Sequence, residues 1–127
     1  MQDLLDKGLE FLGATRHAHL AREVTYRRGA ETVVLRATLG RTEFEQVDEQ
    51  GFARTFEARD FILRAGDLVL AGETVLPSPG DIVAVEHAGW AELFEVMGRG
   101  IEPAWRYTAP DHRELRVHTK FVGREPL

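Results

Sequence analysis

The sequence of 127 residues contains no cysteine and a single serine. Without cysteine the fold has no disulfide bonds and no thiol nucleophile. Ser78 lies between Pro77 and Pro79, outside any GxSxG motif, which indicates a turn residue rather than a nucleophile. No apolar run is long enough to span a bilayer, and the start of the chain lacks the basic region of a signal peptide. We therefore expect synthesis in the cytoplasm and no membrane partner.

Motifs of catalysis and metal binding are also missing. The five histidines include no HExxH pair, and His17 and His19 would point to different faces of a helix. We interpret the histidines as scattered surface residues. Glu43 and Glu45 share one strand face, which we interpret as a solvated face rather than an acid–base pair. The sequence predicts no catalytic residue, no metal site and no cofactor, and hence a protein that is not an enzyme.

The charge is unevenly distributed along the chain. The net charge of −5 argues against a dedicated binder of duplex nucleic acid, because phosphate neutralisation requires a basic surface. The stretch 105–127 nevertheless has five cations against three acids. Its cations are Arg106, Arg113, Arg116, Lys120 and Arg124.

Hydrophobic periodicity predicts a short N-terminal helical segment, 1–22, followed by a β-rich domain, 23–127. Leu4, Leu5, Leu9 and Leu12 recur at helical spacing, whereas the period changes to two after Arg22. Alternation predicts strands at 23–28, 32–39, 41–47, 53–63, 81–86, 91–97 and 115–122. A helical turn is predicted within 64–72, and loops at 77–81 and 97–111. The expected fold is mainly β, a small antiparallel β-barrel or sandwich behind the helix.

The predicted loop 97–111 contains the residue types enriched at binding hot spots. These are Arg99, Trp105, Arg106 and Tyr107 in a frame of glycine and proline. We expect this loop to contact a neighbouring subunit or partner. The alternative is that Trp105 closes the end of its own barrel.

The last predicted strand presents two different faces. Alternation places Leu115, Val117 and Thr119 on an inward face. On the other face, Arg116, His118 and Lys120 are expected to be exposed, to an acidic patch of the next subunit, to DNA or to solvent. The predicted partner surface combines the loop residues with Arg113, Arg116 and Lys120.

The stretch 76–123 carries a pattern of turns, aromatic residues and a basic strand. It includes Leu-Pro-Ser-Pro-Gly-Asp-Ile-Val, Phe-Glu-Val-Met, Glu-Pro-Ala-Trp-Arg-Tyr and Leu-Arg-Val-His-Thr-Lys. The pattern resembles the head-completion and head–tail connector (stopper) proteins of tailed bacteriophages and prophages. The resemblance implies a β-barrel that assembles as a ring beneath the portal, closes the DNA exit channel and presents a surface to the tail. It also implies portal or adaptor and tail proteins as partners, contact with packaged DNA, and a place in the virion.

Two other functions remain open on the sequence alone. Trp105, Arg106 and Arg116, with Tyr107 and Arg113 nearby, have the residue types of a small nucleic-acid-binding barrel. An enzyme with a histidine-bound metal is the other alternative, although no motif supports it.

Overall fold

The computed structural model describes residues 21–47, 53–98 and 100–127, with the backbone alone described at 41–47 and 53–57. Within this part of the chain there are nine strands and one turn of 3₁₀ helix, Ala65–Asp67. The strands are β1 (Arg22–Arg28), β2 (Glu31–Val47), β3 (Ala53–Arg64), β4 (Val69–Leu70), β5 (Glu73–Thr74), β6 (Ile82–His87), β7 (Trp90–Val96), β8 (Trp105–Tyr107) and β9 (Glu114–Pro126).

Six antiparallel strands close into a barrel in the order β3-β2-β1-β6-β7-β9, because β9 also pairs with β3. The first half of β9 pairs with β3 along one edge, from Glu114 to Lys120. Along its other edge, β9 pairs first with β8 and then, from Thr119 onward, with β7. Since β7 and β8 run in the same direction along β9, the segment between them interrupts what would otherwise be one strand. The closed barrel confirms the predicted fold class.

The core fills the inside of the barrel with alternate side chains of each strand. Phe94 is fully buried and contacts Phe61 and Phe121 edge to face, with ring centroids 5.5 Å and 5.7 Å apart. Edge-to-face pairs of this kind add about 0.5–1.5 kcal/mol each to the stabilisation from burial. Leu115 and Val117 are completely buried and Thr119 is 1% exposed, so the predicted inward face of the last strand is confirmed.

A polar cluster fastens the 77–81 turn to β1. The buried Tyr26 hydroxyl donates a hydrogen bond to Asp81, and Arg28 forms a bidentate pair with the same carboxylate at 2.9 Å and 3.0 Å. Burial alone would raise the pKa of Asp81, but hydrogen bonds from Arg28, Tyr26 and the Ser78 backbone N–H outweigh it and hold this pKa below its usual range. Burial and the bond to Asp81 raise the pKa of Tyr26 well above its usual value.

β2 and β3 continue past the barrel as a two-stranded arm, defined here as residues 43–47 and 53–57. β1 pairs with β2 only as far as Ala37, and β9 pairs with β3 only from Ala58. The two strands nevertheless stay paired with each other to Val47 and Ala53. Within the described residues, no other strand covers either edge of this arm.

The remaining predictions have mixed outcomes. The helical turn and the hairpin of β6 and β7 are confirmed. Residues 1–20 of the predicted helical segment 1–22 lie outside the described residues, and Arg22 begins β1. The division at 22/23 stays a prediction. The prediction of one continuous loop at 97–111 is wrong, because β8 lies within it and pairs with β9. Three residues between Pro103 and Pro110 become a strand only through this partner.

Candidate partner-binding surface

The structure places the predicted partner residues on β8, on β9 and just before β9. Trp105, Arg106 and Tyr107 form β8, and their register partners on β9 are Val117, Arg116 and Leu115. Arg113 directly precedes β9, and Lys120 lies farther along it. Arg99 lies outside the described residues. Residues of the predicted loop and of the predicted last strand are thus brought together as one strand pair, which we call the β8–β9 ribbon.

On the outer face of the ribbon, Arg106 lies directly opposite Arg116. Like charges at opposed positions of an antiparallel pair are destabilising unless one of them is compensated. Arg116 is compensated, because its Nε donates a 2.8 Å hydrogen bond to Oδ2 of Asp60 on β3. Arg106 is exposed and has no ion pair with any described residue.

Asp60 is the centre of a buried charge cluster on the outer face of the barrel. Its side chain is 2% exposed, and its Oδ1 lies 2.8 Å from Nδ1 of His118, its register partner on β9. The His118 Nε2 lies 3.9 Å from a carboxylate oxygen of the exposed Glu102. A buried carboxylate is costly unless it is paired and hydrogen-bonded, and Arg116 and His118 supply these contacts.

The cluster corrects two predictions. His118 is 5% exposed, so it is neither a surface histidine nor part of an exposed cationic face. Arg116 is held against the barrel by Asp60, and of the three predicted cationic residues only Lys120 is exposed. The physical reason is the pairing of β3 with β9, which brings an acid from 56 residues away in the sequence to Arg116.

A glycine leaves room for this ion pair. A Cβ at Gly40 would lie 3.1 Å from Nη2 of Arg116 and 3.3 Å from Cβ of Asp60. Contacts this short are tighter than ordinary van der Waals packing, so a larger residue would displace the guanidinium.

The aromatic residues of β8 face the other way, toward the core. Trp105 and Tyr107 are both half-buried and pack against the hydrophobic core, with their ring centroids 5.2 Å apart in an edge-to-face contact. His112 stacks on Tyr107 with the ring planes 8° apart and the centroids separated by 4.0 Å. This is the position expected if Trp105 closes the end of its own barrel. Whether it also contacts a partner stays a prediction.

Between β7 and β8 the chain makes a short excursion that is closed at its base. The Met97 N–H donates to the carbonyl of His118 at 3.0 Å, and the His118 N–H donates to the carbonyl of Ala104 at 2.8 Å. At the base, a Cβ on Gly98 would lie 2.5 Å from the carbonyl oxygen of Glu102. Ile101 lies in this excursion with its side chain fully exposed.

Sequence reasoning missed Asp60, which holds Arg116 and His118 on the outer face. It also missed Tyr26 and Asp81, which fasten the 77–81 turn to β1. The one available signal was at Asp60, an acid directly before the apolar run Phe61-Ile62-Leu63. A charged residue in an otherwise buried strand is normally paired. The partners of Asp60 lie too far along the chain to be read from local alternation.

A family model described as "Phage head-tail joining protein" matches residues 2–126 of the chain. Neither the curated proteins nor the solved structures include a match. No described helix is long and apolar enough to cross a membrane. The family is one of structural phage proteins, and membership implies a virion component that interacts with portal and tail proteins. The match covers nearly the whole chain, and the barrel agrees with the resemblance noted in residues 76–123. This chain belongs to the phage head-tail joining protein family.

Proposed function

We propose that this protein is a head-completion (stopper) subunit that assembles in a ring below the portal and joins the head to the tail. The family match over residues 2–126 carries this proposal. A ring of this kind needs a rigid body and a surface that recognises a different surface on its neighbour. The barrel fits the first requirement, and the exposed Arg106 on β8 and Lys120 on β9 of an acidic protein fit the second. Synthesis takes place in the cytoplasm of the bacterial host.

The ribbon is proposed to dock on protein rather than on DNA. Most of an acidic surface repels DNA, so two exposed cations favour an acidic protein patch. Trp105 packs its half-buried ring against the core, so it does not offer an open platform for base stacking. A nucleic-acid-binding barrel is therefore the weaker alternative. Packaged DNA would contact the assembled ring and not the ribbon.

The proposal is tested in a phage whose own copy of the gene is replaced by the variant Arg106→Glu with Lys120→Glu. We expect folded protein that is missing from the particles, heads that lack tails and lose DNA because no ring closes the exit channel, and a loss in infectious titre of about tenfold or more. Arg22→Glu, which reverses an exposed charge on β1, is the control and should leave the titre unchanged. Electron microscopy of the particles separates the outcomes. Heads that keep the ring but lose their DNA would assign the ribbon to DNA, and a normal titre of tailed, filled particles would overturn the docking function.

A further inference from the structure

Among the described residues, β8 is an edge strand that pairs on one side only, with β9. Ala104 accepts from the His118 N–H and the Thr108 N–H donates to Glu114, so the even-numbered residues of this stretch bond to β9. Because bonded pairs alternate in an antiparallel ladder, the N–H and C=O groups of Trp105 and Tyr107 point away from β9. No described strand pairs with this edge.

The arm presents a second open edge. From Thr38 to Val47, β2 has no partner on the side that β1 occupies earlier in the strand, within the described part of the chain. The edge of β8 and the edge of β2 are both templates for pairing with another chain.

The charges of the two edges are complementary. Residues 41–57 contain five acidic side chains and two arginines, a net charge of −3. Beside β8, Arg106 is exposed and has no ion pair among the described residues. The two glutamates of β2, Glu43 and Glu45, are the opposite charges nearest to the middle of the open edge.

From this geometry we propose that the open β2 edge of one subunit's arm pairs with β8 of the next subunit, with Glu43 or Glu45 against Arg106. The proposal rests on the proposed ring and specifies its subunit contact. Two different patches of the chain meet, so the contact is heterologous and repeats around a ring. Main-chain hydrogen bonds supply the attachment, as in other cases of strand addition, and the charges select the partner and register.

Zero-length carbodiimide coupling tests the contact with the charges intact. The variant Arg106→Lys keeps the positive charge and introduces an amine, and the chain has only two other lysines, Lys7 and Lys120. Assembled particles made with equal amounts of light and heavy-nitrogen protein are coupled and digested. We expect mass spectrometry to show position 106 joined to Glu43 or Glu45 in peptides of mixed isotope. The control Arg22→Lys should give no such product.

A charge exchange provides the second test. Glu43→Arg with Glu45→Arg, made in the Arg106→Lys background, should reduce ring-contact coupling by about tenfold or more and reduce titre. Adding Arg106→Glu to the same two changes in the natural background should restore titre. Coupling within one subunit, or only to a portal or tail peptide, would overturn the proposed contact, as would failure of the exchange. A normal titre with a ring present would then show that the head–tail function stands without this contact.

Discussion

Arg106 and Arg116 face each other across the β8–β9 ribbon, yet their surroundings give them different roles. Arg116 is about three-quarters buried, with 23% of its side chain exposed, and is held by Asp60. Arg106 points into solvent with no described ion-pair partner. We therefore interpret Arg116 as a residue that stabilises the subunit and Arg106 as one available to another protein.

Replacement of each arginine by glutamate should separate these roles. Arg116→Glu places a carboxylate against the buried Asp60, and breaking a buried ion pair costs about 3–5 kcal/mol. Arg106→Glu should change the free energy of unfolding by less than about 0.5 kcal/mol, as is usual for surface changes. Urea denaturation of both variants measures the difference. Equal losses of stability would show that Asp60 does not distinguish the two positions.

The Tyr26–Asp81–Arg28 cluster gives a pH-dependent contribution to stability. Asp81 has a lowered pKa in the folded protein, so its contribution is present above the unfolded value of about 3.9 and is lost as pH falls through the folded value. Asp81→Asn should cost about 1–3 kcal/mol at neutral pH, a range that allows for the screening of the partly exposed Arg28. Below about pH 4 the difference from the natural protein should shrink.

Tyr26→Phe is the matched variant for the dependence of the unfolding free energy on pH in the basic range. The raised pKa of Tyr26 stabilises the fold below the unfolded value of about 10, and this stabilisation falls as pH rises further. Unfolding free energies from pH 2 to 11 distinguish the two variants. An Asp81→Asn protein that keeps the full acid dependence of the natural one would show that other carboxylates cause it.

At the residue scale, alternation along the last strand predicts Leu115 and Val117 in the core because inward packing is a local property. It fails at His118, where it predicts an exposed side chain. Exposure there depends on Asp60, 58 residues away in the sequence, and on the pairing of β3 with β9. Non-local partners of this kind leave no trace in the pattern of a single strand.

At the scale of secondary-structure elements, prediction again succeeds where the cause is local in sequence and fails where it is not. The hairpin of β6 and β7 is predicted correctly because its alternation and its Ala88-Gly89 turn are adjacent in sequence. β8 is missed because its three residues stand between Pro103 and Pro110, and only the edge of β9 makes them a strand. The residues of the candidate partner surface were selected by residue type, and the pairing of β8 with β9 that brings them together was not predicted.

The base of the excursion between β7 and β8 is a tight contact that a methyl group should disrupt. Gly98→Ala brings its Cβ to 2.5 Å from the Glu102 carbonyl oxygen, which the backbone must move to accommodate. Overpacking of this kind costs about 1–3 kcal/mol. Gly66→Ala in the 3₁₀ turn meets no atom within 4 Å and should be neutral or stabilise by up to about 1 kcal/mol.

Thermal unfolding and amide exchange together test the Gly98 contact. The His118 N–H, which donates to Ala104 across this base, should exchange faster in Gly98→Ala than in the natural protein. Its exchange in Gly66→Ala should be unchanged or slower. Unaltered melting and exchange in Gly98→Ala would mean that the excursion adapts without strain.

At the scale of the whole molecule, the acidic chain carries a basic ribbon at one place and an acidic arm at another. Large exposed side chains of apolar type are distributed over several strands and turns. Those described are Val34, Leu39, Leu76, Trp90, Ile101, Val122 and Leu127. Stable interfaces bury about 800 Å² on each partner, with an apolar centre. A pairing of β8 with the arm would bury less area than this, and salt would screen the attraction between its charges.

We therefore expect the isolated protein to be a monomer or a weak oligomer, with a stable ring forming only on its partner. A portal that binds several copies side by side raises their effective concentration, so that contacts too weak to act alone become sufficient. Sedimentation or light scattering at micromolar concentration measures the mass of the protein by itself. A shift toward larger species in low salt is expected, with its loss in Arg106→Glu. A tight closed ring that persists at micromolar concentration and physiological salt without any partner would contradict this assembly mechanism.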